Sequence, residues 1–118
     1  MNRTCLSFLA MLLLAACAHG AAGKKEKPPE KKRVVIDVRT AGEYEQDHFG
    51  GAINIPYNKI RERIGRHVKD KNRKIIVYCA SGGRSRVAAE TLGDMGYKNV
   101  VDAGAFEELM RKENEEEF

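Results

Sequence analysis

The sequence predicts an α/β domain, a small parallel β-sheet with helices on both faces, behind a signal peptide and a flexible linker. From Val34 onward, short β-branched runs alternate with segments of helical periodicity. Such alternation builds a parallel sheet covered on both faces. Ahead of it, Arg3 precedes the apolar stretch Leu6 to Ala16, the layout of an export signal. Between the two lies a stretch rich in lysine and proline without hydrophobic periodicity.

The predicted elements follow in order. Val34 to Ile36 is a buried strand bounded by charge. Thr40 caps a short helix from Ala41, with Glu43 at capping-box spacing. Ala52 to Ile55 is a second strand, closed by Pro56. Asn58 caps a helix to about Val68, where Ile60, Ile64 and Val68 recur four apart. Ile75 to Tyr78 is the clearest strand. A helix from about Ser85 to Met95 follows, with Val87, Ala88, Thr91, Leu92 and Met95 inward and Gly96 ending it. Asn99 to Val101 is the last strand and Phe106 to about Arg111 the last helix.

Composition bounds the rest. At 118 residues, 42% hydrophobic and 32% charged, the chain holds one small domain with an apolar core. Three cysteines cannot form a paired disulfide framework. The net charge of +4 does not make a nucleic-acid reader, because residues 18–33 carry six Lys/Arg against two Glu, whereas residues 34–118 carry fourteen basic against fifteen acidic side chains. The basic surplus belongs to the tail. His48 and His67 have eighteen residues between them and no metal-ligand spacing, so no metal or organic cofactor is expected.

The organisation read from these signals is a signal peptide at 1–17, a linker at 18–33 and the domain at 34–118. Leu14-Ala15-Ala16-Cys17 resembles a bacterial lipobox, which makes Cys17 the lipidated mature N-terminus; ordinary secretion with cleavage after Ala18 or Ala22 is the alternative. The expected location is the periplasm, anchored by lipid to the outer membrane. A flexible linker of this length reaches roughly 20–24 Å, enough for the domain to clear the lipid surface.

Ligands of open parallel sheets bind outside the carboxyl ends of the strands. After the strongest strand stands Cys79-Ala80-Ser81-Gly82-Gly83-Arg84-Ser85. Two glycines let the loop turn its N–H groups inward, and a helix opening at Ser85 aims its positive end at the same centre. Arg84 adds a full charge. An ordinary thiol of pKa about 8.5 is only about 3% ionised at neutral pH, and such a cradle would raise that fraction without a dedicated base. Arg86, two positions on, is expected at the surface.

Cys79 to Ser85 resembles the active-site loop of single-domain rhodaneses, C-x-x-G-x-R. Asp37-Val38-Arg39 with Glu43-Tyr44 is similar to that family's D-V-R-x-x-x-E-[YF] element, and His48 to Pro56 to its G-H-I-x-G-A-x-N-I-P segment. Gly96-Tyr97 and Gly104 to Phe106 extend the similarity, which runs from about Val34 to Leu109. It is nearest to the exported, phage-shock-protein-E-like type. Asp47 stands where the family has Gly, and Ala103 and Ala105 loosen its last glycine element. The resemblance implies a thiosulfate sulfurtransferase in which Cys79 carries a persulfide, residues 80–85 hold a small anionic sulfur donor, and a thiol accepts the sulfur. It further implies that Asp37 and Arg39 form a supporting ion pair. A monomer is expected, with its membrane contact through the N-terminal lipid.

Two rivals are weighed against this. Phosphatases need C-x5-R, and here Arg84 comes one residue too early for it. A non-turnover sulfur carrier or protein-interaction module would keep the fold and lose or repurpose the cysteine; the cysteine is kept.

Overall fold

A computed structural model describes residues 32–115. The export signal, Cys17 and nearly all of the linker lie outside the described residues. Strands β1 (Val34–Asp37), β2 (Ile53–Asn54), β3 (Ile75–Cys79) and β4 (Val100–Ala105) alternate with helices α1 (Ala41–Gln46), α2 (Ile60–His67), α3 (Gly83–Asp94) and α4 (Phe106–Asn114). The sheet order is β2-β1-β3-β4, with every pairing parallel. The predicted class is therefore the observed one.

β3 is buried at all five positions, as a central strand covered on both faces must be. Its alternation sorts the two layers. Ile75, Val77 and Cys79 pack with Ile60 and Ile64 of α2 and with Ala88 and Leu92 of α3. Ile76 and Tyr78 face the other way, toward Phe49, Ala103 and Leu109 of α4. Ile60, Ile64 and Val68 are all buried, as their spacing predicts.

Several boundaries differ from expectation, each for a local reason. Asn58 does not cap α2: it lies in a 3-10 turn over Tyr57–Lys59, which Lys59 N–H closes on the Pro56 carbonyl at 2.8 Å before the α-helix starts at Ile60. α3 begins at Gly83, two residues early, because Gly82 adopts φ +104° and turns the chain directly into the helix. Its inward stripe is Ser85, Ala88 and Leu92, so Val87 is displaced from the inner face to the surface, 41% exposed. There Val87 lines a shallow groove of about 430 Å³ with Tyr57, Asn58, Arg61, Glu62 and Thr91. β4 runs on to Ala105 through a bulge, where Val77 pairs with Asp102 and Tyr78 with Gly104, leaving Ala103 extra. α4 extends past Arg111 because that residue bridges Glu108 and Glu115 one turn either side.

Candidate active site

Two strand ends and one helix assemble the site. At the end of β1, Asp37 is wholly buried and Arg39 nearly so. The guanidinium Nε and Nη2 donate to the Asp37 carboxylate at 3.0 and 2.7 Å, and Arg39 N–H adds a third bond at 2.9 Å. The Tyr78 hydroxyl donates to Asp37 Oδ2 at 2.8 Å and accepts from Phe49 N–H at 3.0 Å. Burial pushes the tyrosine hydroxyl above its ordinary pKa, with the Asp37 carboxylate acting in the same direction. The carboxylate beside Arg39 raises that guanidinium in turn. Asn54 fastens the strand end, its amide donating to the carbonyls of Asp37 and Arg39 at 3.0 Å each. The expected ion pair thus exists, inside a larger network.

At the end of β3 the chain folds over Cys79. Gly82 N–H donates to the Cys79 sulfur at 2.9 Å. The left-handed Gly82 makes this turn possible, since a side chain at φ +104° is strained. Ser85 is buried beneath the loop, and its hydroxyl donates to the Gly82 carbonyl at 3.0 Å. Burial pushes the Cys79 thiol up. The backbone N–H and hydroxyl of Ser85, with the N–H groups of Gly82 and Ser81, outweigh it and hold the thiol below its ordinary value. Ala80, Ser81 and Gly83 are exposed over a cysteine that is itself buried.

Arg84 stands in the first turn of α3, and its nearest charged partner is a residue the sequence marks only as part of a helix cap and a motif. Glu43 of α1 receives a bidentate pair from it, Nη1 to Oε1 and Nη2 to Oε2, both 3.0 Å. Arg84 holds the Glu43 carboxyl below the usual carboxylate range. Thr40 caps α1 as expected, accepting from Glu43 N–H at 3.2 Å. No spacing rule links residues 43 and 84, which come together only because β1 and β3 are neighbours. Arg86 is exposed, as predicted.

Two departures from the family pattern, Asp47 and Ala105, fall where glycine is not required. Asp47 has φ −168°, extended backbone open to any residue, and its carbonyl accepts from Arg39 Nη2 at 2.6 Å. Gly104 keeps the left-handed φ of +75° that its turn needs, while Ala105 sits at φ −79°.

Comparisons with known proteins agree with this geometry. The family model for the Rhodanese-like domain matches residues 21–111. The chain is 46% identical over 74 residues to "Thiosulfate sulfurtransferase PspE" of Escherichia coli strain K12, covering 63% of this chain and 71% of that one. It is 32% identical over 81 residues to "Putative sulfur carrier protein YrkF" of Bacillus subtilis strain 168, covering 69% of this chain and 43% of that longer one. A solved structure described as a rhodanese with anions from E. coli superposes with TM-score 0.63 at 44% identity, covering 65% of this chain and 91% of that chain. The chain belongs to the rhodanese-like family.

Proposed function

We propose that this protein is a sulfurtransferase that moves a sulfane sulfur from thiosulfate or a similar donor to a thiophilic acceptor through a persulfide on Cys79. The observation that carries the reading is the sulfur of Cys79 at the end of β3, accepting a 2.9 Å bond from Gly82 N–H and held below its ordinary pKa. The thiolate attacks the outer sulfur of thiosulfate; the new S–S bond forms as the bond to the sulfonate sulfur breaks, and sulfite leaves with that electron pair. Cyanide or a thiolate then attacks the outer persulfide sulfur, takes it as thiocyanate or a new persulfide, and returns Cys79 to its thiolate. Negative charge stays at the loop throughout, so the same N–H groups stabilise both resting thiolate and persulfide. Splitting the transfer in two predicts ping-pong kinetics.

Residues 80–85 form the donor site in this reading, with Arg84 as its full charge and Glu43 as the brace that fixes the guanidinium. Asp37 and Arg39 support the floor and touch no substrate. Export, lipidation at Cys17 and a monomeric state belong to the proposal as well. The reading is tested by thiocyanate formation from thiosulfate and cyanide, beside Cys79→Ser. Turnover that disappears in the variant supports it; turnover that persists contradicts it. The similarity to a chain named as a sulfur carrier favours one second reading, in which the Cys79 persulfide is handed to a partner protein. That version predicts a stable persulfide with no turnover on cyanide.

A further inference from the structure

The two ends of the sheet differ in charge. Cys79 and its loop lie at the carboxyl ends of the strands. At the amino ends the chain enters through Lys32 and Arg33, and the connections α2–β3 and α3–β4 cross the same surface. Three hydrogen bonds bind these segments into one pole: Val34 N–H to the Lys74 carbonyl at 2.9 Å, Lys98 N–H to the Lys71 carbonyl at 2.8 Å, and Arg73 Nε to the Lys32 carbonyl at 3.1 Å. Lys69, Lys71, Arg73, Lys74 and Lys98 therefore gather at one end. Asp70 and Asp94 are the carboxylates of the same connections, and Asp70 is engaged by Asn72 N–H at 2.9 Å. Glu113, from the end of α4, pairs with Arg33 at 2.6 Å. Lys71 lies 4.0 Å over the Tyr97 ring. Among the described residues the ammonium groups of Lys69, Lys74 and Lys98 have no ion-pair partner.

The covalent chain reaches this pole through Lys24, Lys25, Lys27 and Lys31, against Glu26 and Glu30, and further back through the apolar stretch Leu6 to Ala16. Basic side chains on a folded surface, continuous with a basic segment and an apolar one, match an anionic lipid surface. We propose that the amino-terminal pole of the sheet docks on anionic lipid headgroups, which turns the Cys79 loop away from the membrane. The five residues of β3 separate pole from loop by roughly 16 Å, so the site stays open to dissolved donors and acceptors while the domain is held.

The test uses the full chain on phosphatidylcholine vesicles with and without phosphatidylglycerol, read by backbone hydrogen exchange. The expected result is slowed exchange at residues 69–74 and 97–99 on anionic vesicles only, with 79–86 unchanged and the effect lost at about 0.5 M salt, where the Debye length falls to a few ångströms. The triple variant Lys69→Gln, Lys74→Gln, Lys98→Gln should weaken this attachment about 100-fold and lose the protection. Lysine-to-arginine changes at the same positions should keep it, and unchanged exchange in β3 certifies the fold of both. Vesicle binding through the apolar stretch with no protection at the pole would overturn the proposal. So would protection at 79–86, protection retained by the glutamine variant, or protection by polyglutamate and not by vesicles.

Discussion

At neighbouring strand ends the fold holds a carboxylate and a thiol of lowered pKa by opposite means. The Asp37 carboxylate at the end of β1 is met by a guanidinium, a backbone N–H and a tyrosine hydroxyl, all from rigid surroundings. The Cys79 sulfur at the end of β3 is met by backbone N–H groups and one serine, with no cation bonded to it. A buried charge with its counter-charge bound and its lone pairs filled is inert. A sulfur bonded only by dipoles, with Arg84 near but not bonded to it, keeps an electron pair to give, and the same dipoles serve whatever anion replaces it. The difference separates a strut from the proposed nucleophile, though the two lie on adjacent strands, Asp37 level with Tyr78 and Cys79 one residue further on.

Substitutions can break this contrast from either side. The largest effect on activity is expected from Cys79→Ser, which removes the nucleophile: thiocyanate formation should fall to background while urea denaturation shows a nearly unchanged midpoint. On the other strand, Asp37→Ala leaves Arg39 buried without its partner. That should cost about 3–5 kcal/mol, read as a drop in the urea midpoint, and a loss under 1 kcal/mol would mean the network is not the strut described. Gly82→Ala acts on the cradle itself. Strain at φ +104° should cost about 1–3 kcal/mol, and displacement of the Gly82 N–H should raise the pH at which Cys79 is alkylated. The smallest structural effect belongs to Arg84→Ala. Its pair with Glu43 is about one-third exposed on each side, 30% and 35%, so its loss should cost at most about 1 kcal/mol. Because Arg84 holds the Glu43 carboxyl low, that contribution is complete above the ordinary carboxylate pKa of about 4.3 and fades as the pH falls through the lowered value. The KM for thiosulfate in the same variant should rise about tenfold, the loss of one charge-assisted contact of about 1.4 kcal/mol.

The fold was legible in the sequence wherever periodicity and burial coincide. Ile60, Ile64 and Val68 announce an inward face, and Ile75 to Tyr78 a central strand, because one hydrophobic pattern dictates each. Boundaries set by single backbone torsions were not. The start of α3 depends on Gly82 entering the left-handed region, and the bulge at Ala103 lets β4 run four residues past Val101. In the site, Cys79 and its glycines could be read from local order. Glu43 facing Arg84, and Tyr78 bridging Asp37 to Phe49, join residues tens of positions apart. Such contacts arise from strand order, which local sequence does not encode.

In the proposed mechanism, N–H and hydroxyl dipoles, not a base, make Cys79 a nucleophile. The most direct test of this is the pH dependence of iodoacetamide alkylation at Cys79, followed by peptide mass in the folded chain and in the chain unfolded by urea. The folded protein should show a midpoint below that of the unfolded one, near the ordinary thiol value of about 8.5. A folded midpoint equal to or above the unfolded one would contradict the account, because burial would then have prevailed over the cradle.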